Sequence, residues 1–234
     1  MRLSRNLTLW VHFALDQCLP PLVRDSRWFM RLPLWLAARE QTELLLTFKD
    51  RAPTLTPAEF AAAYRQLAHR TIDRETDLNT ACVEAIDAAV VGSRVLDAGC
   101  GRGWLTRRLA QRFTATGLDI VIDPELARSA PSVRWVEGAT EELPFEDGAF
   151  DTVVCAHTLE HVLDLPATVR ELRRVAAKRL IVVVPRQRPY RYTFDLHLHF
   201  FPMASSLRLA LGRAPGFVEC SDRGGDWFYV EDRP

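Results

Sequence analysis

Neither charge sign is in excess in this chain: thirty basic and thirty acidic residues cancel. Without a basic surplus the electrostatic footprint of a nucleic-acid binder is missing, so DNA and RNA are not expected partners. Lysine is nearly absent, with only Lys49 and Lys178, and arginine supplies the rest of the positive charge. Cysteine is sparse and unpaired in pattern. The five residues at 18, 82, 100, 155 and 220 are odd in number and form no C-x-x-C pair, which argues against a zinc module or disulfide framework and fits a reducing compartment. No apolar run reaches the roughly 20 residues that span a bilayer. Arg2 and Arg5 before the run Leu7–Leu15 superficially resemble a secretory signal, but no small-x-small cleavage site follows, and Asp16 and Gln17 spoil Cys18 as a lipidation site. A cytoplasmic chain is expected, with peripheral membrane contact through residues 1–38 left open.

What is present is enough for one α/β domain and an added segment: 234 residues, 48% of them apolar. The organising stretch is Val95-Leu96-Asp97-Ala98-Gly99-Cys100-Gly101-Arg102-Gly103. Apolar residues suited to a buried strand lead into alternating glycines, and Trp104-Leu105-Thr106-Arg107-Arg108-Leu109 then takes up a helical pattern. Glycines at 99, 101 and 103 permit positive φ and close approach of a ligand to the main chain, and the helix start favours an anionic group nearby. The spacing is D-x-G-x-G-x-G and not the dinucleotide fingerprint G-x-G-x-x-G. Asp97, on the strand itself, suits a cationic amine better than a pyrophosphate. A second strand, Ala115–Asp119, ends in an acid 22 positions after Asp97, near the spacing at which a Rossmann-like unit places its ribose-binding carboxylate.

The glycine motif resembles that of the class I S-adenosylmethionine-dependent methyltransferases. The later order Leu143-Pro144-Phe145, Phe150-Asp151 and a buried strand Thr152–Cys155 is similar to the type 11 members that include ubiquinone and menaquinone pathway enzymes. The resemblance implies a Rossmann-like α/β fold: seven mostly parallel strands with an antiparallel last strand, helices on both faces and an N-terminal helical cap. It implies S-adenosyl-L-methionine as cofactor, held by Asp97, Gly99, Cys100, Gly101, Gly103, Asp119 and Ile120, with the adenine near Ala139, Thr140 and Glu141. The chain departs from the family at Ala139, where many members carry an aspartate for the adenine amine. Residues 1–78 are expected as the helical extension and 79–234 as the cofactor-binding domain. In the resembled family, helices before the first strand wall the substrate, which implies Tyr64 as a substrate-side residue.

Helix signals precede the glycine turn. Thr56-Pro57-Ala58-Glu59 is a capping box, followed by Phe60, Tyr64, Leu67 and Ala68 at helical spacing. A second helix starts near Asp77 or Asn79, carries Cys82, Ala85, Ile86 and Ala89 on one face, and ends before Gly92. Further upstream, Leu7, Trp10, Val11, Ala14 and Leu15 share a helical face, and Trp28–Leu36 is a second aromatic, basic cluster. These helices pack on the rest of the protein or on a second subunit, or else their tryptophans, Phe29 and neighbouring arginines face a membrane interface or an apolar channel.

After the third strand, Val133–Glu137, and the fourth, Ala156-His157-Thr158-Leu159-Glu160-His161-Val162 falls where open α/β sheets place ligands. His157 and His161 are the candidate general bases, because an imidazole titrates near neutral pH. An amphipathic helix, Leu165–Lys178, and a fifth strand, Arg179–Pro185, come next. The stretch Arg186–Pro202 then offers Tyr192, His197 and His199 as substrate-shaping residues; His197-x-His199 lacks a third ligand at supporting spacing, so no metal is expected. Phe217–Cys220 and Trp227–Val230 flank Gly224-Gly225 as a closing hairpin. Three readings follow: methyl transfer to a small, apolar molecule, a cofactor-binding scaffold without activity, and a nicotinamide-dependent oxidoreductase disfavoured by the glycine spacing.

Overall fold

The computed structural model describes residues 19–68 and 75–233. The described residues form two compact units, one of the chain up to Glu75 together with Tyr190–Leu198, the other of Thr76–Pro189 together with the chain from His199 onward. The apolar face at Leu7–Leu15 lies outside the described residues.

The first unit is helical: α1 (Pro21–Arg24), α2 (Arg27–Ala38), α3 (Thr42–Arg51) and α4 (Pro57–Ala68). Thr56 caps α4 as its sequence predicts. Its backbone N–H donates to Glu59 Oε2 at 2.9 Å, and the Glu59 N–H returns to Thr56 Oγ1 at 3.3 Å. Phe48, Phe60 and Tyr64 stack together, with ring centroids 5.0 Å apart for Phe60–Tyr64 and 6.5 Å for Phe48–Tyr64. The segment Tyr190–Leu198 is fastened here by two cations, the buried Arg24 and the half-buried Lys49. Arg24 Nη1 donates to the Tyr192 carbonyl at 2.8 Å, its guanidinium lies 4.5 Å from the Tyr190 ring centre, and Lys49 Nζ donates to the Tyr190 carbonyl. Burial, with the Arg24 charge adding to it, lowers the Lys49 ammonium to about 7.

The second unit holds a seven-stranded sheet. Its strands are β1 (Arg94–Ala98), β2 (Thr114–Asp119), β3 (Arg134–Glu137), β4 (Phe150–Ala156), β5 (Ala176–Pro185), β6 (Val218–Arg223) and β7 (Asp226–Asp232). The order is β3-β2-β1-β4-β5-β7-β6, and β7 alone runs against its neighbours. The hairpin over Gly224-Gly225 closes the sheet as its sequence predicts. Alternate residues feed two cores, so both faces are covered, as a parallel sheet requires. Val95, Val154, Ile181 and Val183 meet Cys82 and Ile86 of α5 (Thr80–Ala89) and Leu105 and Leu109 of α6 (Trp104–Leu109). Leu96, Val153, Cys155 and Val182 meet Val169, Leu172 and Val175 of α8 (Leu165–Val175) and Leu207 of α9 (Ala204–Leu211), while α7 (Pro124–Ser129) precedes β3.

The boundary after α8 differs from the sequence expectation. The helix ends at Val175 and not at Lys178, because Ala176 already pairs with Phe150 and β5 starts there, with a register irregularity before Thr152. The Phe-Asp signature has a structural reason. Asp151 Oδ2 accepts the N–H groups of Ser93 and Arg94, both at 3.0 Å, locking the start of β1 to β4 and holding this carboxyl well below the usual range.

Candidate cofactor site

The C-terminal ends of β1 and β2 meet the glycine turn. Gly99 and Cys100 N–H groups both donate to the Leu118 carbonyl, at 2.7 and 2.9 Å, which folds the turn back over β2. Three glycines adopt positive φ, +80° at Gly99, +50° at Gly101 and +67° at Gly103, but for different reasons. A Cβ on Gly99 would stand 2.2 Å from Thr158 Oγ1, and one on Gly103 2.4 Å from the Trp135 ring. A Cβ on Gly101 would meet nothing within 4 Å. The outer two glycines serve packing; the middle one faces open space, as a cradle for a ligand requires.

Two carboxylates flank that space. Asp97 is fully buried and accepts Thr106 Oγ1–H at 2.6 Å. Burial lifts it to about 7, the Thr106 hydrogen bond opposes the rise, and the charge of Asp119 adds to it. Asp119, half-buried at the end of β2, accepts the Gly101 N–H on Oδ2 at 2.8 Å and the Val121 N–H on Oδ1 at 3.3 Å. Burial raises Asp119 as well; the N–H groups of Gly101, Val121 and Ile120 and the nearness of His161 hold the rise in check. Two carboxylates, one buried and one half-buried, that see each other's charge fit a ligand with one cationic amine and a pair of hydroxyls. Cys100 lines the turn with a buried thiol that burial and both aspartates push far up, so it stays protonated and is not a nucleophile.

The loop after β3 brings Ala139, Thr140 and Glu141 beside this site by chain, but Glu141 is engaged structurally. Its Oε1 accepts the Leu163 N–H at 3.1 Å and its Oε2 the Thr140 hydroxyl at 3.3 Å, so it braces the loop after β4. That loop is braced again from the far side, where His199 Nε2 lies 2.9 Å from the Val162 carbonyl and its N–H donates to the Glu160 carbonyl at 3.0 Å. Thr158 Oγ1 sits 3.3 Å from both the Ala98 and Gly99 carbonyls, coupling this loop to the glycine turn.

His157 and His161 part company. His161 is half-buried and lies near Asp119. His157 adopts φ 51°, in the left-handed region that non-glycine residues rarely enter. Its ring is held between two acids: Nδ1 lies 3.4 Å from Glu160 Oε1 and Nε2 3.4 Å from Asp226 Oδ2. Burial by itself lowers the imidazole, but the facing Asp226 and Glu160 carboxylates outweigh it and raise His157 to about 9. At neutral pH it is an imidazolium, with no lone pair to accept a proton. Asp226 is in turn held by Asn79 Nδ2 at 2.9 Å, and Asn79 caps α5 by accepting the Cys82 N–H at 2.9 Å. Sequence reasoning missed Thr106, Thr158 and Asp226; the Gly224-Gly225 turn just before Asp226 was the available signal. Tyr64, Tyr192 and His197 belong to the helical unit, and only His199 of the expected substrate residues lies in the sheet unit.

Residues 96–184 match the model of a methyltransferase domain. Over 133 aligned residues the chain is 38% identical to a ubiquinone biosynthesis O-methyltransferase of Pseudomonas aeruginosa, covering 49% of this chain and 56% of that one. It is 38% identical over 96 residues to a 2-phytyl-1,4-naphtoquinone methyltransferase of Trichormus variabilis, covering 36% and 42%. The chain thus spans about half the length of the curated relatives it matches. Among solved structures, a 1,6-didemethyltoxoflavin-N1-methyltransferase of Burkholderia thailandensis with bound S-adenosylhomocysteine superposes with a TM-score of 0.59 at 20% identity, over 76% of this chain and 91% of that one. A methyltransferase of Aquifex aeolicus gives 0.54 at 16% identity, over 76% and 98%. At those identities the likeness is one of fold.

Proposed function

We propose that the chain, whose residues 96–184 match the model of a methyltransferase domain, is an S-adenosylmethionine-dependent methyltransferase that methylates a small, apolar acceptor of quinol type. The observation that carries this reading is the pair Asp97 and Asp119, which feel each other's charge, with Asp119 accepting the N–H of the open Gly101. We assign Asp97 to the ammonium group of the cofactor, Asp119 to its ribose hydroxyls, and the backbone from Gly99 to Gly103, with Cys100, to the chain between them. Ile120, Ala139, Thr140 and Glu141 are assigned to the adenine side. Bound S-adenosylmethionine supplies a methyl group that its sulfonium already makes electrophilic.

What remains for the protein is to hold an acceptor oxygen in line and to receive its proton. Orientation supplies up to roughly 7 to 11 kcal/mol, whereas a general base adds about 3 to 5.5 kcal/mol, so positioning dominates. His161, beside Asp119, is the candidate base. His157, already charged, is assigned to holding the loop that presents His161. Tyr64, Tyr192, His197 and His199 are assigned to the acceptor side, with residues 79–234 as the cofactor-binding domain and 1–78 as a helical extension. A cytoplasmic chain with peripheral membrane contact through residues 1–38 suits an apolar acceptor.

Incubation with methyl-labelled S-adenosylmethionine and a panel of ring-hydroxylated quinols tests the proposal. Label is expected in the quinol fraction, and Asp119→Ala should reduce it. Cofactor binding with no transfer to any quinol or metabolite pool would instead assign the chain as a scaffold.

A further inference from the structure

Helix α2 is apolar on two opposite faces. Met30, Leu34 and Ala38 are buried. On the other side Trp28, Leu32, Trp35 and Leu36 recur at i, i+4, i+7 and i+8 and are all exposed, from 49% at Trp35 to 77% at Trp28. Leu22 of α1 is 90% exposed. A contiguous stripe of indole and leucine side chains differs from the isolated apolar residues that a soluble surface normally carries.

The rim of the stripe is basic. From Ser26 to Arg39 the chain has three arginines, at 27, 31 and 39, and no acid. The Arg39 guanidinium lies 5.7 Å from the Trp35 ring centre. Arg27 and Arg31 share Glu43 of α3, at 3.0 and 3.2 Å, but all three side chains are more than half exposed, and such surface pairs give way readily to another anion. The asymmetry extends along the sequence. Residues 1–39 contain arginines at 2, 5, 24, 27, 31 and 39 against aspartates at 16 and 25, in a chain whose net charge is zero. They also contain Trp10, Trp28 and Trp35, half of the chain's six tryptophans.

We propose that the exposed face of α2 docks on an anionic lipid bilayer, lying in the plane of the interface with Trp28 and Trp35 at headgroup level and Leu32 and Leu36 beneath them. Indole rings favour that depth, and arginines above an apolar stripe meet lipid phosphates. The helix lies on the surface and does not cross: among the described residues no helix is long and apolar enough to span a membrane. A second copy of the chain fits the face less well, because self-pairing would bring the arginine rims of two copies together. Docking gains its purpose from the proposed apolar acceptor, which would partition into the same bilayer, but lipid binding itself needs no turnover.

The test is co-sedimentation of the full chain with phosphatidylglycerol–phosphatidylcholine vesicles and with phosphatidylcholine vesicles alone, for wild type and for Trp28→Ser/Trp35→Ser/Leu36→Ser. Wild type is expected to partition onto the anionic vesicles and to leave them as salt rises, and the triple variant to lose at least about tenfold in partition. The variant's S-adenosylhomocysteine affinity and melting temperature should stay at wild-type values, since the altered side chains face water. Failure of wild type to bind anionic vesicles, or equal binding by the variant, would overturn the docking proposal. A wild-type dimer that the variant dissolves, without lipid binding, would give the face to a second copy. Absence of S-adenosylhomocysteine binding alongside normal vesicle binding would strike the methyl-transfer reading alone.

Discussion

Two loops leave the neighbouring parallel strands β1 and β4 at their C-terminal ends, and each must turn through left-handed backbone. The first does so with Gly99, Gly101 and Gly103, which pay no steric penalty. The second does so with His157, which suffers the strain and is held by carboxylates on both sides. The glycine turn leaves its backbone open to a ligand. The histidine turn fills its space with a side chain and becomes a fixed wall. The C-terminal end of the central strands thus has a cradle and a brace, and Thr158 on Gly99 joins them.

The sharpest way to break this contrast is Gly99→Ala. Its Cβ would fall 2.2 Å from Thr158 Oγ1 and 2.8 Å from Thr158 Cβ at a φ of +80°, so the two loops must separate. A loss of about 4 to 5 kcal/mol in urea denaturation is expected. His157→Ala comes next. Removing the imidazolium between buried Glu160 and Asp226 should cost about 3 kcal/mol, and Asn, which tolerates left-handed backbone, should recover part of it. The pH dependence has a definite sign. A histidine raised from 6.5 to about 9 contributes stability that is fully present below pH 6.5 and is lost as pH rises through 9. Denaturation curves for wild type and His157→Ala should therefore converge toward the alkaline end.

The glycine loop responds to acid instead. Asp97 sits at about 7 in the free protein, and binding an ammonium group requires its charged form. S-adenosylhomocysteine affinity should fall by about tenfold for each pH unit below 7, equivalent to about 1.4 kcal/mol, as read by calorimetry. The same high value means that Asp97 takes up a proton on folding, so its own contribution to stability fades as pH rises through 7. Smallest of all should be the stability change in Gly101→Ala. With nothing within 4 Å of the new methyl, only the backbone strain of about 1 kcal/mol remains, yet cofactor affinity should drop because the methyl occupies the cradle.

The cradle was legible in the sequence because its parts are local: a strand, three spaced glycines, a helix start and an acid one βα unit later. The sheet was legible for the same reason, through buried apolar strands alternating with amphipathic helices and a Gly-Gly hairpin. The brace was not. His157 stood out as a titratable residue, but its character comes from Asp226, which only the insertion of β7 beside β5 brings near. The bracing role of Glu141 is likewise not announced by sequence, since its Oε1 reaches the Leu163 N–H in a different loop. The attachment of Tyr190–Leu198 to the helical unit was also hidden, since Arg24 and Lys49 reach backbone carbonyls that no side-chain pattern announces.

The most direct test of the cofactor assignment is calorimetric titration of wild type and Asp119→Ala with S-adenosylhomocysteine. The account predicts micromolar binding by wild type and a weakening of about 1 to 3 kcal/mol when the carboxylate is removed. Absence of binding by the wild type, or identical binding by Asp119→Ala, would contradict it.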